Sequence, residues 1–294
     1  MTFIYFNKEI LSSSSAIFTA DDRGLLLGDG LFETMRAHRG RVVFFEQHWE
    51  RLSLGSKQLK ISLPLSMKEA KEAVSLILDA NQLSKSNASL RLTVTRGRGP
   101  RGLLPPKTIY PNILLTASPF SPPPCMGISA CISTIRKNSS SPLSNMKTLN
   151  YLDNVLALNE AREKGKDEAL LLNFQENIAE SSKANFFLVK KHALYTPPLK
   201  DGALPGIVRN SLAFLGKKLS LPYFEKSLSL EDLFNAEEAF LTNSLNGITP
   251  LTQVENSLIG NGRIGKITEL LQKSYQQHID HLISSNTKIA SNLP

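Results

Sequence analysis

Cysteine, tryptophan and long apolar runs are all scarce in this chain of 294 residues. It contains two cysteines, Cys125 and Cys131, and a single tryptophan. Two thiols without metal-ligand spacing argue against a disulfide scaffold and a cysteine metal site, and they favour a reducing compartment. No apolar run approaches the length of a membrane span, and the N-terminal segment lacks the basic and apolar regions of a signal peptide. We therefore expect a cytoplasmic protein without a membrane segment.

Neither the basic nor the acidic residues form a long cluster in the sequence. The 34 lysines and arginines outnumber the 26 aspartates and glutamates and give a net charge of +8, but the basic residues are scattered along the chain. Without a basic cluster we do not expect nucleic-acid binding. The positive balance fits a site for an anionic cofactor and an anionic substrate, and it fits a lysine-rich surface equally well.

Proline marks one boundary in the chain. The segment SPFSPPP, residues 118–124, cannot continue a sheet ladder and stiffens the connection. We therefore predict a smaller N-terminal α/β domain over residues 1–117, an interdomain linker over 118–126 and a larger C-terminal domain over 127–294.

Apolar periodicity predicts strands and helices in both domains, an α+β arrangement. Ser66, followed three residues later by Glu69, indicates a capping box at the start of a helix. The predicted strands cover residues 3–6, 31–37, 42–45, 89–95, 112–117, 128–135, 169–173, 185–189, 193–196 and 238–242. The longer predicted helices cover residues 46–60, 66–83, 204–219 and 264–283. A further helix is expected after Lys147, because Leu149, Leu152, Val155, Leu156 and Leu158 form an apolar stripe that continues to Ala161.

Residues 143–190 contain the charged pair on which the functional hypothesis depends. Lys147 precedes the predicted helix, and Glu180 lies in the segment that leads into strand 185–189. Either residue alone would ordinarily be solvated. Together they suit the two ends of a pyridoxal phosphate site. The lysine amine would form the Schiff base, and the carboxylate would hold a proton on the pyridine nitrogen.

Several separated motifs resemble one family of enzymes. They are DRGLLLGDGLFETMRAHRGRVVFFEQHWERL, MKTLNYLDNVLALNEAREKGKDEALLLN and IAESSKANFFLV. In this order they resemble the class IV pyridoxal phosphate enzymes, which include branched-chain aminotransferases, D-amino acid aminotransferases and aminodeoxychorismate lyases. The resemblance extends from about Tyr5 to about Leu251. It implies the two-domain fold type IV, similar to D-amino acid aminotransferase, with pyridoxal 5'-phosphate bound by the C-terminal domain, and a homodimer.

The resemblance also implies roles for individual residues. Lys147 is implied as the Schiff-base lysine and general base, and Glu180 as the partner of the ring nitrogen. Arg51, in the pattern H-x-x-R-L, is implied to bind the cofactor phosphate, a role for which a planar guanidinium is well suited. Further phosphate contacts are implied for the helix start at Ile207 and Val208 and for the loop residue Ser244 with the adjoining backbone of Leu245. Tyr151 is implied to contact the phenolic oxygen, although its spacing from the lysine differs by one residue from that of the branched-chain enzymes.

For the substrate, a small anionic amine, the resemblance points to the first domain. Phe32 lies in a segment that faces the substrate in the family, and Arg91 matches a substrate-facing position. The loop RGRGPRGLLPP, residues 96–106, is either a mobile solvated loop or a lid that offers an arginine such as Arg101 to a substrate carboxylate. Both interpretations remain open.

The reaction itself is predicted from two loops. The loop TNSLNGITP resembles that of the lyases, and VTRGRGPRG resembles both the lyases and the D-amino acid aminotransferases. The latter carry a histidine where this chain has Leu103, and KTLNY is also common among transaminases. We therefore expect 4-amino-4-deoxychorismate lyase activity, which releases pyruvate and gives p-aminobenzoate for folate biosynthesis. The alternative is a branched-chain or D-amino acid aminotransferase. A non-catalytic cofactor carrier is disfavoured because Lys147, Glu180 and Arg51 are all present.

Overall fold

The structure is a computed structural model that describes residues 2–15, 17–124 and 126–290, without the side chains of 285–290. Cys131 is buried with a free thiol, whereas Cys125 lies outside the described residues. Within the described ranges, no helix is long and apolar enough to cross a membrane.

The chain forms two compact units. The first runs to Ser121 and also includes Lys147–Asn150, and the second comprises Pro122–Met146 and the chain from Tyr151 onward. The change of unit after Ser121 falls inside the segment predicted as the linker. The sequence predicts residues 147–150 in the second domain, whereas in the structure they pair with a strand of the first unit.

The first unit is built on a six-stranded sheet in the order β2-β1-β6-β5-β3-β4. All of its neighbouring strands run antiparallel. Its strands are β1 (Phe3–Phe6), β2 (Glu9–Ser12), β3 (Gly30–His38), β4 (Arg41–Val42), β5 (Asn87–Thr95) and β6 (Asn112–Pro119), and its helices are α1 (Arg23–Leu27), α2 (Phe45–Leu59) and α3 (Met67–Ala80). The capping box predicted at Ser66 and Glu69 is confirmed at the start of α3.

The second unit is built on a nine-stranded sheet in the order β12-β11-β10-β13-β14-β7-β8-β9, with β15 paired to β14. Its strands are β7 (Ile128–Lys137), β8 (Glu168–Asn173), β9 (Ile178–Ser181), β10 (Asn185–Lys190), β11 (Ala193–Thr196), β12 (Tyr223–Glu225), β13 (Glu238–Asn243), β14 (Gly247–Val254) and β15 (Ser257–Leu258). Its helices are α4 (Leu152–Glu163), α5 (Ile207–Lys218), α6 (Leu230–Phe234) and α7 (Lys266–Ala290). Phe187 and Phe240, opposite each other on β10 and β13, stack in the core with ring centroids 5.0 Å apart.

The helix predicted after Lys147 is present as α4, but most of its apolar stripe does not face the core. Leu152, Val155 and Leu156 of α4 are exposed, and Ala157 and Ala161 are buried. The two alanines pack with the buried side chains of β7 and β8. Small side chains let a helix lie close to a sheet, and the apolar period alone does not reveal which of two stripes faces inward.

Other differences concern short or polar segments. Residues 23–27, where the sequence analysis places no helix, form α1, which is stabilised because Asp22 accepts hydrogen bonds from the N–H groups of Gly24 and Leu25. The strand predicted to reach residue 45 ends at Val42 because Phe44 adopts a left-handed φ of 57° before α2. Glu180 lies within β9, and the loop predicted after β13 continues as β14.

Candidate functional site

A short extended segment positions Lys147 in the first unit. The N–H of Phe32 donates to the carbonyl of Lys147 at 2.9 Å, and the N–H of Leu149 donates to the carbonyl of Gly30 at 3.0 Å. Between them, Leu31 and Thr148 form an antiparallel bridge. The backbone of Lys147 is therefore fixed along the start of β3.

The ring of Phe32 lies beside two cations. The Nζ of Lys147 is 4.4 Å from its centroid, and the guanidinium carbon of Arg91 is 3.7 Å from it. Both distances are within the range of cation–π attraction. The structure thus brings together the predicted Schiff-base lysine and two of the predicted substrate residues.

Strand register explains why Phe32 and Arg91 meet. Arg91 on β5 is directly opposite Thr34 on β3, and Phe32 is two residues before Thr34. Alternate residues share one face of a strand, so Phe32 and Arg91 are diagonal neighbours on that face. Glu33 consequently points to the other face.

On that other face, Glu33 forms an ion pair with Arg51 of α2. The carboxylate accepts from Nε of Arg51 at 2.8 Å and from Nη2 at 2.6 Å, a bidentate ion pair. It also lies 2.6 Å from Nδ1 of His48. Glu33 and His48 are buried. Sequence reasoning missed Glu33 and gave His48 no role in the site, although a three-residue spacing places His48 and Arg51 on one side of α2.

The charges of this cluster follow from burial and pairing. Burial alone would raise the pKa of Glu33, but the charge of Arg51 and the hydrogen bonds from Arg51 and His48 outweigh it and lower this pKa to about 2. Burial lowers the pKa of His48. A neutral imidazole then donates its Nδ1–H to Glu33, and one carboxylate balances one guanidinium.

The basic loop over residues 96–106 is anchored by Arg23. This buried side chain donates to the carbonyls of Gly102 at 3.0 Å and Leu103 at 2.8 Å. Its Nε pairs with Asp29 at 2.9 Å. The tip of the loop is therefore held to α1, and Arg101 is exposed next to this anchor.

In the second unit, Glu180 is buried with both carboxylate oxygens occupied. Oε1 accepts from Nζ of Lys137 at 2.6 Å, and Oε2 accepts from the N–H of Leu204 at 2.9 Å. Lys137 is the last residue of β7, and Glu180 is opposite Leu171 of β8 in β9. Sequence reasoning missed Lys137, because only the order of these three strands in the sheet brings it to Glu180.

The start of α5 fits an anion. Gly206 precedes it without a side-chain hydrogen bond to the helix, whereas α3 and α6 begin with capping boxes. Ile207 and Val208 are buried. Glycine is required before them because a Cβ at residue 206 would lie 1.8 Å from Oδ1 of Asn185. A buried helix start without a side-chain cap needs another partner, and a phosphate group meets that need.

Ser244 lies in the turn between β13 and β14 and is half-buried. Asn243 holds this turn by accepting from the N–H groups of Leu245 at 3.1 Å and Asn246 at 2.8 Å, so the Leu245 backbone already has a partner. Just before the turn, the buried Oγ1 of Thr242 has no hydrogen-bond partner among the described residues. A buried hydroxyl in this condition is typical of a site that a ligand completes.

Tyr151 and Ser181 lie close in the sequence to the candidate site residues Lys147 and Glu180. Tyr151 precedes α4 as its N-cap residue and is half-buried. Next to Glu180, the buried Oγ of Ser181 has no hydrogen-bond partner within the part of the chain that the structure describes. No group of three or more histidine, cysteine, aspartate or glutamate side chains in that part could hold a metal ion.

The family model for class IV aminotransferases matches residues 30–254. The chain belongs to this family. It is 36% identical over 277 residues to a provisionally named branched-chain-amino-acid aminotransferase from Methanocaldococcus jannaschii, which covers 93% of this chain and 95% of that protein. It is 29% identical to the aminodeoxychorismate lyase of Bacillus subtilis, over 95% of this chain and 96% of the lyase. The crystal structure of Escherichia coli branched-chain amino acid aminotransferase matches with a TM-score of 0.89 at 28% identity and covers 94% of each chain.

The family assigned from the sequence and its mixed α and β fold are therefore confirmed. Enzymes of this class depend on pyridoxal phosphate. The relatives include transaminases and a lyase, so the comparisons establish a class IV pyridoxal phosphate enzyme without separating the two reactions.

The pairing of Glu33 predicts how the stability of the first unit depends on pH. Its pKa is about 2 in the folded chain against a usual value of 4.5. Because the folded value is the lower one, Glu33 stabilises the fold fully above pH 4.5 and loses this contribution as the pH falls towards 2. Between pH 5 and pH 3 the loss amounts to about 2 kcal/mol.

The variant Glu33→Gln should lack this acid-dependent term, so its free energy of unfolding should fall about 2 kcal/mol less than that of the wild type between these pH values. At pH 7 it should be less stable by about 3 kcal/mol, because Arg51 loses its counter-charge. Urea unfolding of the cofactor-free protein, followed by fluorescence of the single tryptophan, Trp49 on α2, measures both. Glu50→Gln, an exposed position on α2, is the control. Equal acid sensitivity of Glu33→Gln and the wild type would contradict the assignment.

Proposed function

We propose that this chain transfers the amino group of a branched-chain or similar amino acid to a 2-oxo acid. The observation that carries the proposal is the 36% identity, over 93% of the chain, to the relative named as a branched-chain-amino-acid aminotransferase. The paired carboxylates and the uncapped start of α5 support a pyridoxal phosphate enzyme in general. They do not distinguish among its reactions.

Lys147 is the proposed catalytic residue. Pyridoxal phosphate supplies an aldehyde that binds amines and a ring that accepts the electron pair of the substrate's α-carbon. Lys147 would hold the cofactor through its Nζ, and its amine would serve as the general base that removes the proton from the α-carbon of the substrate. The strand-like hydrogen bonds of its backbone to β3 keep the amine in place for both tasks.

The remaining side chains bind and orient the cofactor. The phosphate is proposed to bind to Arg51, to the N–H groups of Ile207 and Val208, and to Ser244. Glu33 fixes the orientation of the Arg51 guanidinium through two hydrogen bonds. Glu180 is proposed to hold the proton on the ring nitrogen, and the hydroxyl of Tyr151 to donate to the phenolic oxygen.

Arg91 and Phe32 are the proposed substrate residues. Arg91 is exposed while its guanidinium lies on the Phe32 ring, 3.7 Å from the centroid. A guanidinium that is stacked in this way has a fixed plane and can bind a carboxylate in a bidentate manner. Arg101 is a second proposed contact to the substrate carboxylate, on the loop that Arg23 anchors.

The lyase reaction is the second candidate. It is favoured by the turn Asn243-Ser244-Leu245, which resembles the corresponding loop of aminodeoxychorismate lyases, and by the 29% identity to the enzyme of Bacillus subtilis. In that reaction the same proton removal by Lys147 would be followed by loss of pyruvate from 4-amino-4-deoxychorismate. The product, p-aminobenzoate, would then serve folate biosynthesis.

A parallel assay separates the two reactions. The cofactor-loaded protein receives L-leucine, L-valine or D-alanine with 2-oxoglutarate in one series, and aminodeoxychorismate without any oxo acid in the other. We expect glutamate to form with the branched-chain amino acids. Lys147→Ala should reduce turnover at least about a thousandfold, because it removes the base, while Lys57→Ala, at an exposed position of α2, should not.

Three other results of this assay would contradict parts of the proposal. Equal amounts of pyruvate and p-aminobenzoate over many turnovers, with no glutamate, would overturn the transaminase proposal and establish the lyase. Transfer from D-alanine alone would overturn the branched-chain preference. Full activity of Lys147→Ala in either series would refute the assignment of the catalytic lysine.

We also propose that the chain forms a homodimer through a leucine patch on the first unit. The patch consists of Leu25, Leu26, Leu27, Leu103 and Leu104, of which Leu103 and Leu104 are 82% and 85% exposed. Arg23 connects its two segments by donating to the loop carbonyls. Exposed apolar side chains that are grouped in this way are typical of an interface between proteins.

The double variant Leu103→Glu/Leu104→Glu should be monomeric, because each new interface would bury four uncompensated carboxylates. Sedimentation velocity of the cofactor-loaded wild type should show a dimer. Leu76→Glu, at an exposed position on α3, should remain dimeric and serves as the control. A monomeric wild type, or a dimeric double variant, would contradict this interface.

A further inference from the structure

Lys137 is a nearly buried cation that the family motifs do not assign. Its side chain is 17% exposed, and that of its partner Glu180 is 6% exposed. Lysine is seldom buried to this degree without a partner. The 2.6 Å contact between Nζ and Oε1 of Glu180 lies largely out of water, where the attraction of two charges is stronger than at a surface.

The loop over residues 199–204 keeps Lys137 in this position. Gly202 has a φ of +99°, and a Cβ there would lie 2.9 Å from Cγ of Lys137, so the loop rests on the lysine stem. Nδ2 of Asn145 donates to the carbonyls of Leu199 at 3.0 Å and Ala203 at 2.9 Å. The same loop supplies the N–H of Leu204 to Glu180. Two fixed donors therefore determine where both carboxylate oxygens point.

Other charged groups near the pair are largely matched among themselves. On β7, Arg136 pairs with Glu176 of the turn after β8 at 2.9 Å. At the start of β8, the buried Glu168 pairs with Lys183 at 3.3 Å. On the loop itself, the buried Oδ2 of Asp201 has no hydrogen-bond partner within the described ranges. Asp201 is therefore a titratable group that a test must control.

We propose that Lys137 is a positioning residue that limits how strongly Glu180 holds a proton on the ring nitrogen of the cofactor. The inference rests on the proposed function, in which Glu180 contacts that nitrogen. A carboxylate without a second partner would attract the ring proton with its full charge. Because an ammonium group is already in contact with Glu180, part of this charge is offset, and a second positive charge on the same carboxylate becomes less favourable.

For catalysis, the expected consequence is that the cofactor ring withdraws electrons from the substrate with intermediate strength. A ring nitrogen that keeps its proton at every pH withdraws electrons at full strength, and one that loses it near neutrality withdraws them less. Lys137 would set this balance without touching the substrate or the reacting atoms. A purely structural lysine would instead change stability and leave the protonation of the cofactor unaltered.

The test measures the ring proton directly. Pyridoxal phosphate labelled with ¹⁵N in the ring is bound to the wild type and to variants, and its nitrogen chemical shift is followed against pH. In Lys137→Met the midpoint for loss of the ring proton should rise by about one pH unit or more. Lys137→Gln, which can still donate a hydrogen bond, should show the same rise and serves if the methionine variant does not fold. Lys137→Arg should stay close to the wild type.

Two controls define the specificity of the effect. Arg136→Met removes the neighbouring half-buried charge on β7, which is already paired with Glu176, and Asp201→Asn removes a titratable group of the loop. Both should leave the midpoint within about 0.3 unit of the wild type. An unchanged midpoint in Lys137→Gln, with the cofactor bound to Lys147, would overturn the role of Lys137 alone. Failure of the wild type to bind the labelled cofactor at Lys147 would overturn the proposed function and this inference together.

Discussion

An ionised carboxylate is costly to bury unless a cation or hydrogen-bond donors compensate its charge, and this constraint shapes the surroundings of Glu33 in one unit and of Glu180 in the other. Glu33 is paired with Arg51, and Glu180 with Lys137. Removing either cation would leave an uncompensated buried charge at a cost of several kcal/mol. The surrounding backbone therefore has to hold each pair with precision, and it does so through β3 and α2 in one unit and through β7, β9 and the loop after β11 in the other.

The two pairs suit different groups of the proposed cofactor. Glu33 orients a guanidinium that suits a phosphate, while Lys137 and the Leu204 N–H orient a carboxylate that suits a protonated nitrogen. The backbone of Lys147 is held along β3, because its carbonyl accepts from the N–H of Phe32. Binding groups with fixed positions lose little freedom when the ligand arrives, which favours both affinity and catalysis.

Many residues of the candidate site could be proposed from the sequence because they occur in local motifs. Lys147, Glu180 and Arg51 each lie in a motif of the family, and the family itself is confirmed. Glu33 and Lys137 could not be found in this way, since each meets its partner only through tertiary structure. Helix α4 shows a second limit of prediction from the sequence. Its larger apolar residues follow a helical period, but the side that is buried is the one with the small side chains of Ala157 and Ala161. The choice between lyase and transaminase depends on substrate contacts that local motifs describe only in part.

The central claim is that Lys147 carries the cofactor, and chemical trapping tests it most directly. Reduction of the cofactor-loaded protein with borohydride, followed by peptide mass spectrometry, identifies the lysine that is bound. The proposed function requires one pyridoxyl group per chain, attached to Lys147. Attachment to another lysine, above all to Lys137 beside Glu180, or no attachment at all, would contradict it.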